Sequence, residues 1–318
     1  MFEKALIMYI YAETPIHPGS GTVISGVVDL PIQRERHTEF PIIQGSSLKG
    51  VLRNSACFIE IDSKCRTCNK KPDIMERCGI LKQIFGSPEG MGGISITDAR
   101  ILAFPVRTLK GVFGWITCPL VLSRYKRELT LIKKNPEWNL SQLSVKDGKA
   151  VIHSNSNLKT KSDGKNYVYI EDLRLEAEEK DELLQSVMNE VTKALPDNNI
   201  YKEVKEKLKK DLVIVSDNVF RDLVSLTTEV VTRIKIDPRT GTVQTGGLWS
   251  EEYLPTDTIM YSLILIPSRL NNIKLEDIVN QLNKYNEQIL QIGGDETVGK
   301  GFALIKLVEG GSKNVKKS

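Results

Sequence analysis

Short β-rich apolar runs near both ends of the chain, each coupled to one amphipathic helical stretch, leave few architectures open. Residues 2–13 read as a strand that buries the apolar run from Ala5 to Tyr11. An irregular segment follows over 14–45. A helix then runs to about Glu60, capped by Ser46 or Ser47, with Leu48, Val51, Leu52 and Ser55 along its core face. Ile94 to Phe104 and Val112 to Leu122 read as two strands about a turn at Lys110-Gly111. Toward the other end, Ile259 to Ile266 is a buried strand. Leu275, Ile278, Val279, Leu282 and Ile289 mark an amphipathic helix, and Phe302 to Val308 a closing strand. The order β-α-β-β, a large insertion, then β-α-β predicts an α+β fold with a ferredoxin-like core.

The insertion has its own pattern. Residues 133–166 are rich in Lys, Asn, Ser and Gly and predict an exposed, partly mobile excursion. Two charged helical stretches, about 178–194 and 199–210, are expected to form a helical lid. A strand at Leu212 to Val215 leads to a helix capped by Asp217. Val230 to Ile236 and Thr242 to Leu248, joined by Asp-Pro-Arg-Thr-Gly, predict a β-hairpin. The organisation expected is one domain over 1–318. It carries a cysteine-bearing insert at 57–80, a polar and helical insertion at 133–210 and the hairpin at 229–255.

Bulk properties exclude more than they select. The 318 residues are 40% hydrophobic and 26% charged, ordinary for a soluble globular chain. No apolar run reaches the length of a membrane span and the start lacks a cleavable leader pattern, so a cytoplasmic protein without a membrane partner is expected. A net charge of +4 permits an RNA partner without requiring one. No glycine-rich phosphate-binding motif stands between a strand and a helix, which argues against a nucleotide-binding enzyme. The cysteines number five, an odd count that speaks against a disulfide framework. Cys57, Cys65, Cys68 and Cys78 have the short knuckle and distal thiols of a tetrahedral zinc site; alternatively Cys57 is a core thiol and a histidine completes the set.

Three stretches carry candidate chemistry. VVDLPIQRERHTEFP, residues 27–41, holds two prolines and many charges without helical or strand period, as a functional loop would. GSSLKGVLR opens a helix with Ser46 and Ser47, then sets Lys49 and Arg53 on one face. A helix N-terminus flanked by cations suits a phosphate, although an ordinary capped helix looks the same. GGDETVGKG, from Gly293 to Gly301, precedes a strand. It reads either as a turn or as a backbone nest for a nucleic-acid phosphate, with Gly293, Gly294, Gly299, Lys300 and Gly301 as its contacts.

IHPGSG, VVDLPIQRERHTEFPIIQGSSLKGVLR, DARILAFPVRTLKGVFGWITCP, TVQTGGLWSEEYLP and IGGDETVGKG occur in this order over about residues 14–305. In this combination the chain resembles the backbone subunits of type III-B CRISPR effectors, the fourth Cmr subunit of the repeat-associated mysterious protein (RAMP) superfamily. The equivalent type III-A subunit is the second match. The resemblance implies an RRM-like core whose copies stack along a CRISPR guide RNA beside other Cmr subunits. It also implies a hairpin thumb that interrupts the guide–target duplex, and metal-dependent endoribonuclease cleavage of target RNA, with Mg or Mn, at those interruptions. A scaffold that only binds guide RNA is the alternative. Carried over by motif, the catalytic residues are Asp29, His17 and Glu229. Asp29 and His17 could instead be a turn cap and a structural hydrogen-bonder. Arg34 and Arg36 are expected beside the RNA, as are Arg233 and Trp249 of the thumb; Trp249 at the hairpin base could equally be a core residue. Glu39 stands where the family pattern has glycine, which predicts that this position does not need a positive φ.

Overall fold

The computed structural model describes residues 2–21, 28–59, 79–87, 90–136, 138, 143–268 and 273–311. Strand β1 (Phe2–Ala12) is buried from Ala5 to Ala12 without alternation, so both faces of the sheet are covered around it. It pairs antiparallel with β13 (Ile259–Pro267) on one side and β15 (Phe302–Glu309) on the other. β13 in turn pairs antiparallel with β4 (Ala99–Arg107). The central order is therefore β15-β1-β13-β4. Helix α1 (Gly45–Ile59) lies in the connection from β1 to β4, and α7 (Leu275–Asn283) in that from β13 to β15. Each helix buries one stripe: Leu48, Leu52 and Ala56 on α1, Ile278 and Leu282 on α7. The Tyr285 hydroxyl, just past α7, donates to the Leu52 carbonyl at 2.7 Å and ties the two helices together.

Several expectations are corrected. The apolar run from Val112 does not continue as a strand to Leu122. β5 (Phe113–Thr117) ends before Cys118, and α3 (Pro119–Leu131) begins with proline in its first turn, where a missing amide costs nothing. Residues 133–166 are not merely a polar excursion. β6 (Lys149–Ile152), β7 (Thr160–Ser162), β8 (Lys165–Ile170) and β9 (Leu173–Glu179) extend the main sheet through β10 (Leu212–Val215), because Ala150 to Ile152, Val168, Ile170 and Leu175 are buried among the polar residues. The charged stretches form α4 (Asp181–Val191) and α5 (Lys202–Asp211). Helix α6 (Asp217–Leu226) is capped by Ser216, whose Oγ accepts from the Val219 amide, and not by Asp217. Ile289 leaves the α7 stripe and lies on β14 (Gln288–Gln291), at the sheet edge. Two-residue β2 (Ile42–Ile43) and β3 (Ser95–Ile96) complete this sheet, and the short helix α2 (Gly79–Phe85) lies between α1 and β3 in the chain.

The hairpin stands apart as its own sheet. β11 (Glu229–Ile236) pairs with β12 (Val243–Tyr253) from Glu229 opposite Tyr253 outward. Its outer half exposes Ile234, Ile236, Val243 and Leu248, while Tyr253 at its base is fully buried. No helix among the described residues is long and apolar enough to cross a membrane.

Candidate active site

The base of β12 is where the sequence motifs meet. Residues 28–33 run beside it: Leu30 bridges Glu251 in parallel register, the Leu30 amide donates to the Ser250 carbonyl, and the Glu252 amide donates to the Leu30 carbonyl. Ile16 bridges Leu254, one residue past the end of β12, and Gly19 bridges Ile32. The HPGSG and VDLP segments are thus both docked on residues 250–254.

Asp29 is exposed, yet its carboxylate is not loose. Oδ2 accepts from the Ser250 amide at 2.8 Å and the Ser250 hydroxyl at 2.9 Å, while the Asp29 amide donates to the same hydroxyl at 3.0 Å. These bonds, the backbone one foremost, hold the carboxyl below its ordinary range, so it is a carboxylate at neutral pH. His17 attaches two residues further along, with Nδ1 2.6 Å from the Glu252 carbonyl. A carbonyl only accepts, so Nδ1 carries a proton, and Nε2 is the ring nitrogen that can act as an acceptor in the neutral tautomer. A Cβ at Gly19 would stand 2.7 Å from that nitrogen, so glycine there leaves it room. Ser250 and Glu252 are about 7 Å apart along an extended strand, and β12 therefore spaces the two attachment points.

The glycine-rich loop closes the other side, but not as a nest of free amides. The Gly294 amide donates to the His17 carbonyl, Gly301 to Pro15, Gly299 to Glu296 and Lys300 to Asp295. Gly293 has φ +86°, and a Cβ on it would fall 2.2 Å from the His17 carbonyl oxygen. These glycines serve the close approach of the loop to the His17 segment. Lys300 points its ammonium 5.0 Å over the Tyr253 ring, and the His17 ring lies tilted to Tyr253 at 5.5 Å between centroids. Glu229, across the hairpin from Tyr253, is half-buried. Desolvation pushes its carboxyl above the ordinary range, partly offset by Lys300.

Two of the cations expected on RNA are turned inward. Arg34 Nη2 lies 2.5 Å from Glu252 Oε1, and its Nη1 donates to the Glu39 and Val224 carbonyls. Arg233 Nε lies 2.5 Å from Glu251 Oε2, and Nη2 donates to the Tyr253 hydroxyl at 2.6 Å. That hydroxyl also bonds Glu251 and Asp295. Trp249 is half-buried and donates through Nε1 to Glu251 at 2.6 Å. Ser250, Glu251, Glu252 and Tyr253, which follow Trp249, carry no role in the sequence pattern, yet they organise the site. Glu251 and Glu252 are adjacent in a strand and so face opposite ways, and each carboxylate is buried against one arginine. Two neighbouring acids inside a β-rich run were the available signal. Arg36 stays exposed.

Glu39 corrects its expectation as well: its φ is +62°, held by its amide on the Glu35 carbonyl and its carbonyl under Arg34. Ser46 and Ser47 are exposed in the first turn of α1 but do not cap it. Asp98 accepts from the Gly45 amide at 2.8 Å, so a carboxylate already occupies the first amide of that helix. Lys49 donates to the Ile94 carbonyl at 3.1 Å; burial and neighbouring Arg53 lower its pKa. Both line a concavity of about 650 Å³ with Ser87, Ser95 and Met91, the last almost wholly exposed. Cys65, Cys68 and Cys78 lie outside the described residues, and Cys57 is described only as part of α1. The zinc expectation therefore stands on the sequence alone. Among the described residues no three His, Cys, Asp or Glu side chains could together hold a metal ion.

The model of the RAMP superfamily matches residues 9–304, and the chain belongs to that superfamily. It is 44% identical over 313 residues, 96% of each chain, to the CRISPR system Cmr endoribonuclease Cmr4 of Pyrococcus furiosus, and 27% identical over 94% of each to the Cmr subunit Cmr4 of Saccharolobus solfataricus. Within the superfamily it is therefore a member of the Cmr4 family. A crystal structure of oligomeric Cmr4 from Pyrococcus furiosus superposes with a TM-score of 0.72 at 36% identity, covering 97% of this chain and all of that one.

Proposed function

We propose that this chain is a backbone subunit of a type III-B effector that binds guide RNA and cleaves complementary target RNA at the base of its hairpin. The 44% identical relative, named an endoribonuclease, supports the activity. The observation that carries the placement is the docking of two separate sequence motifs, those of His17 and Asp29, on residues 250–254, with the glycine-rich loop packed against the first and Asp29 clamped as an ionised, exposed carboxylate. The strand order β15-β1-β13-β4, with α1 and α7 as its two connections, supports a ferredoxin-like core. The separate two-stranded sheet with an apolar outer half supports the thumb, since exposed apolar side chains can wedge between bases.

Attack by a 2′-hydroxyl on the adjacent phosphate needs in-line geometry, a proton acceptor and charge stabilisation. A nucleotide splayed by the hairpin provides the geometry. His17 offers Nε2 as an acceptor, and Lys300 brings positive charge to the same corner. Asp29 is the residue that would hold a divalent ion, since magnesium is commonly bound by one or two carboxylates and the substrate's own phosphates. Such an ion would neutralise charge on the scissile phosphate. Guide binding falls to the α1 face through Lys49, Arg53 and the Ser46 and Ser47 hydroxyls. Asp98 already takes the first helix amide, so side-chain charge is expected to make the main part of that contact.

The test is incubation of the reconstituted complex with complementary RNA and magnesium. Products at regular spacing are expected. Bound but uncut RNA would leave the chain a guide-binding scaffold.

A further inference from the structure

We propose that Ser250 is a positioning residue that aims the Asp29 carboxylate, so that one hydroxyl on β12 couples the hairpin to the cleavage chemistry. This rests on the reading of Asp29 as the cleavage residue.

Four hydrogen bonds join residues 29–30 to Ser250. Two are carried by the Ser250 backbone: its amide to Asp29 Oδ2 and its carbonyl from the Leu30 amide. The other two are carried by its hydroxyl, which accepts from the Asp29 amide and donates to Oδ2. One hydroxyl hydrogen and one lone pair thus close a ring around the Asp29 side chain. Ser250 donates both hydrogen bonds that reach Oδ2 from across β12.

The division of labour between backbone and hydroxyl matters. The backbone bonds dock the 28–33 segment, whatever side chain stands at 250. An exposed carboxylate would otherwise choose among staggered rotamers. With two donors on Oδ2, the group is held in one orientation, and Oδ1 carries neither of the Ser250 bonds. Ser250 lies on the strand whose outer half forms the hairpin tip, so displacement of the tip by RNA acts on the same strand that aims Asp29.

Removing the hydroxyl should leave the loop docked and the carboxylate ionised but poorly aimed. A misplacement on the order of 1 Å can lower a rate by about 10²-fold. Ser250→Ala is therefore expected to slow single-turnover cleavage by roughly 10- to 100-fold without changing target affinity. Ser250→Thr keeps the hydroxyl, and a β-branched residue suits a strand, so it should stay within about threefold of the wild type.

The experiment measures single-turnover cleavage of labelled complementary RNA by reconstituted complexes carrying Ser250→Ala, Ser250→Thr or Asp29→Asn, at saturating magnesium. Target affinity is read in parallel by gel shift. Slow cleavage by the alanine variant with full binding, together with rescue by threonine and an inactive Asp29→Asn, is the expected result. Wild-type cleavage by Ser250→Ala beside an inactive Asp29→Asn overturns the role of Ser250 alone. Lost binding in the alanine variant, or equal loss in both serine variants, makes Ser250 a shaper of the loop and also overturns it. A fully active Asp29→Asn overturns this inference and the reading beneath it together.

Discussion

The hairpin base and the N-terminal face of α1 are both rich in cations, and they use them in opposite ways. At the hairpin base Arg34 and Arg233 are each spent on a buried carboxylate, Glu252 and Glu251, which are 4% and 6% exposed. On α1, Lys49 donates to the neutral Ile94 carbonyl, with no carboxylate partner among the described residues, and burial together with neighbouring Arg53 lowers its pKa. The first arrangement makes a rigid frame; the second leaves charge for a phosphate. An arginine beside an acid-rich strand is therefore weak support for RNA contact, because a desolvated carboxylate competes for it.

This contrast predicts that stability and RNA affinity separate by region. The largest loss of stability is expected from Arg34→Ala. It leaves Glu252 buried with the Ile32 amide and the Thr228 hydroxyl as its remaining donors among the described residues, and breaking such a pair from one side costs about 3 kcal/mol. Denaturant unfolding of the purified chain measures this, and a change within error would show that the pair is not part of the frame. Lys49→Ala should do the reverse, changing unfolding little while weakening guide RNA regardless of sequence and lowering the salt slope by about one. A sequence-selective loss would mean that Lys49 reads bases.

Two smaller effects sharpen the account of the hairpin base. Glu229 has a folded pKa raised by burial, so its ionisation opposes folding. That penalty is fully present well above the raised value, and it fades as the pH falls through it and the native carboxyl takes up its proton. Glu229→Gln should accordingly raise stability slightly at pH 7, by less than ~1 kcal/mol for a half-exposed group, and lose that advantage below about pH 4. Melting curves at both pH values decide it; a gain at acid pH only would reverse the sign. Glu39→Gly removes a left-handed non-glycine residue next to Arg34. It should stabilise by roughly 0.5–1 kcal/mol, the backbone strain relieved less the added chain entropy. Destabilisation would show that the Glu39 side chain contributes more than its backbone geometry costs.

Much of the frame was legible in the sequence because periodicity and burial agree there. Leu212–Val215 is the strand its apolar run predicts, and the Asp-Pro-Arg-Thr-Gly turn marks the hairpin. α3 was hidden because the apolar run of β5 continues into it, leaving Pro119 as the main boundary signal. The strands at 149–179 were hidden because their edges are polar and only Ala150 to Ile152, Val168, Ile170 and Leu175 reach the core. In the site, Asp29, His17 and the glycine loop are visible as motifs, but the partners that hold them are not. Ser250 lies 221 residues from Asp29, and Gly293 is glycine because of a carbonyl at His17. Such pairings exist only once the chain has brought distant segments onto β12.

The central claim is that the carboxylate docked on β12 performs cleavage and does not merely hold the loop. Asp29→Asn tests it most directly, because asparagine can still accept both Ser250 bonds through one oxygen while it loses the charge. A time course of target cleavage at saturating magnesium, paired with a gel shift, is the measurement. Unchanged guide and target binding with cleavage reduced by roughly 10²- to 10⁴-fold is the predicted result. Cleavage at the wild-type rate would contradict the catalytic role, and cleavage lost together with binding would make Asp29 a structural residue of the loop.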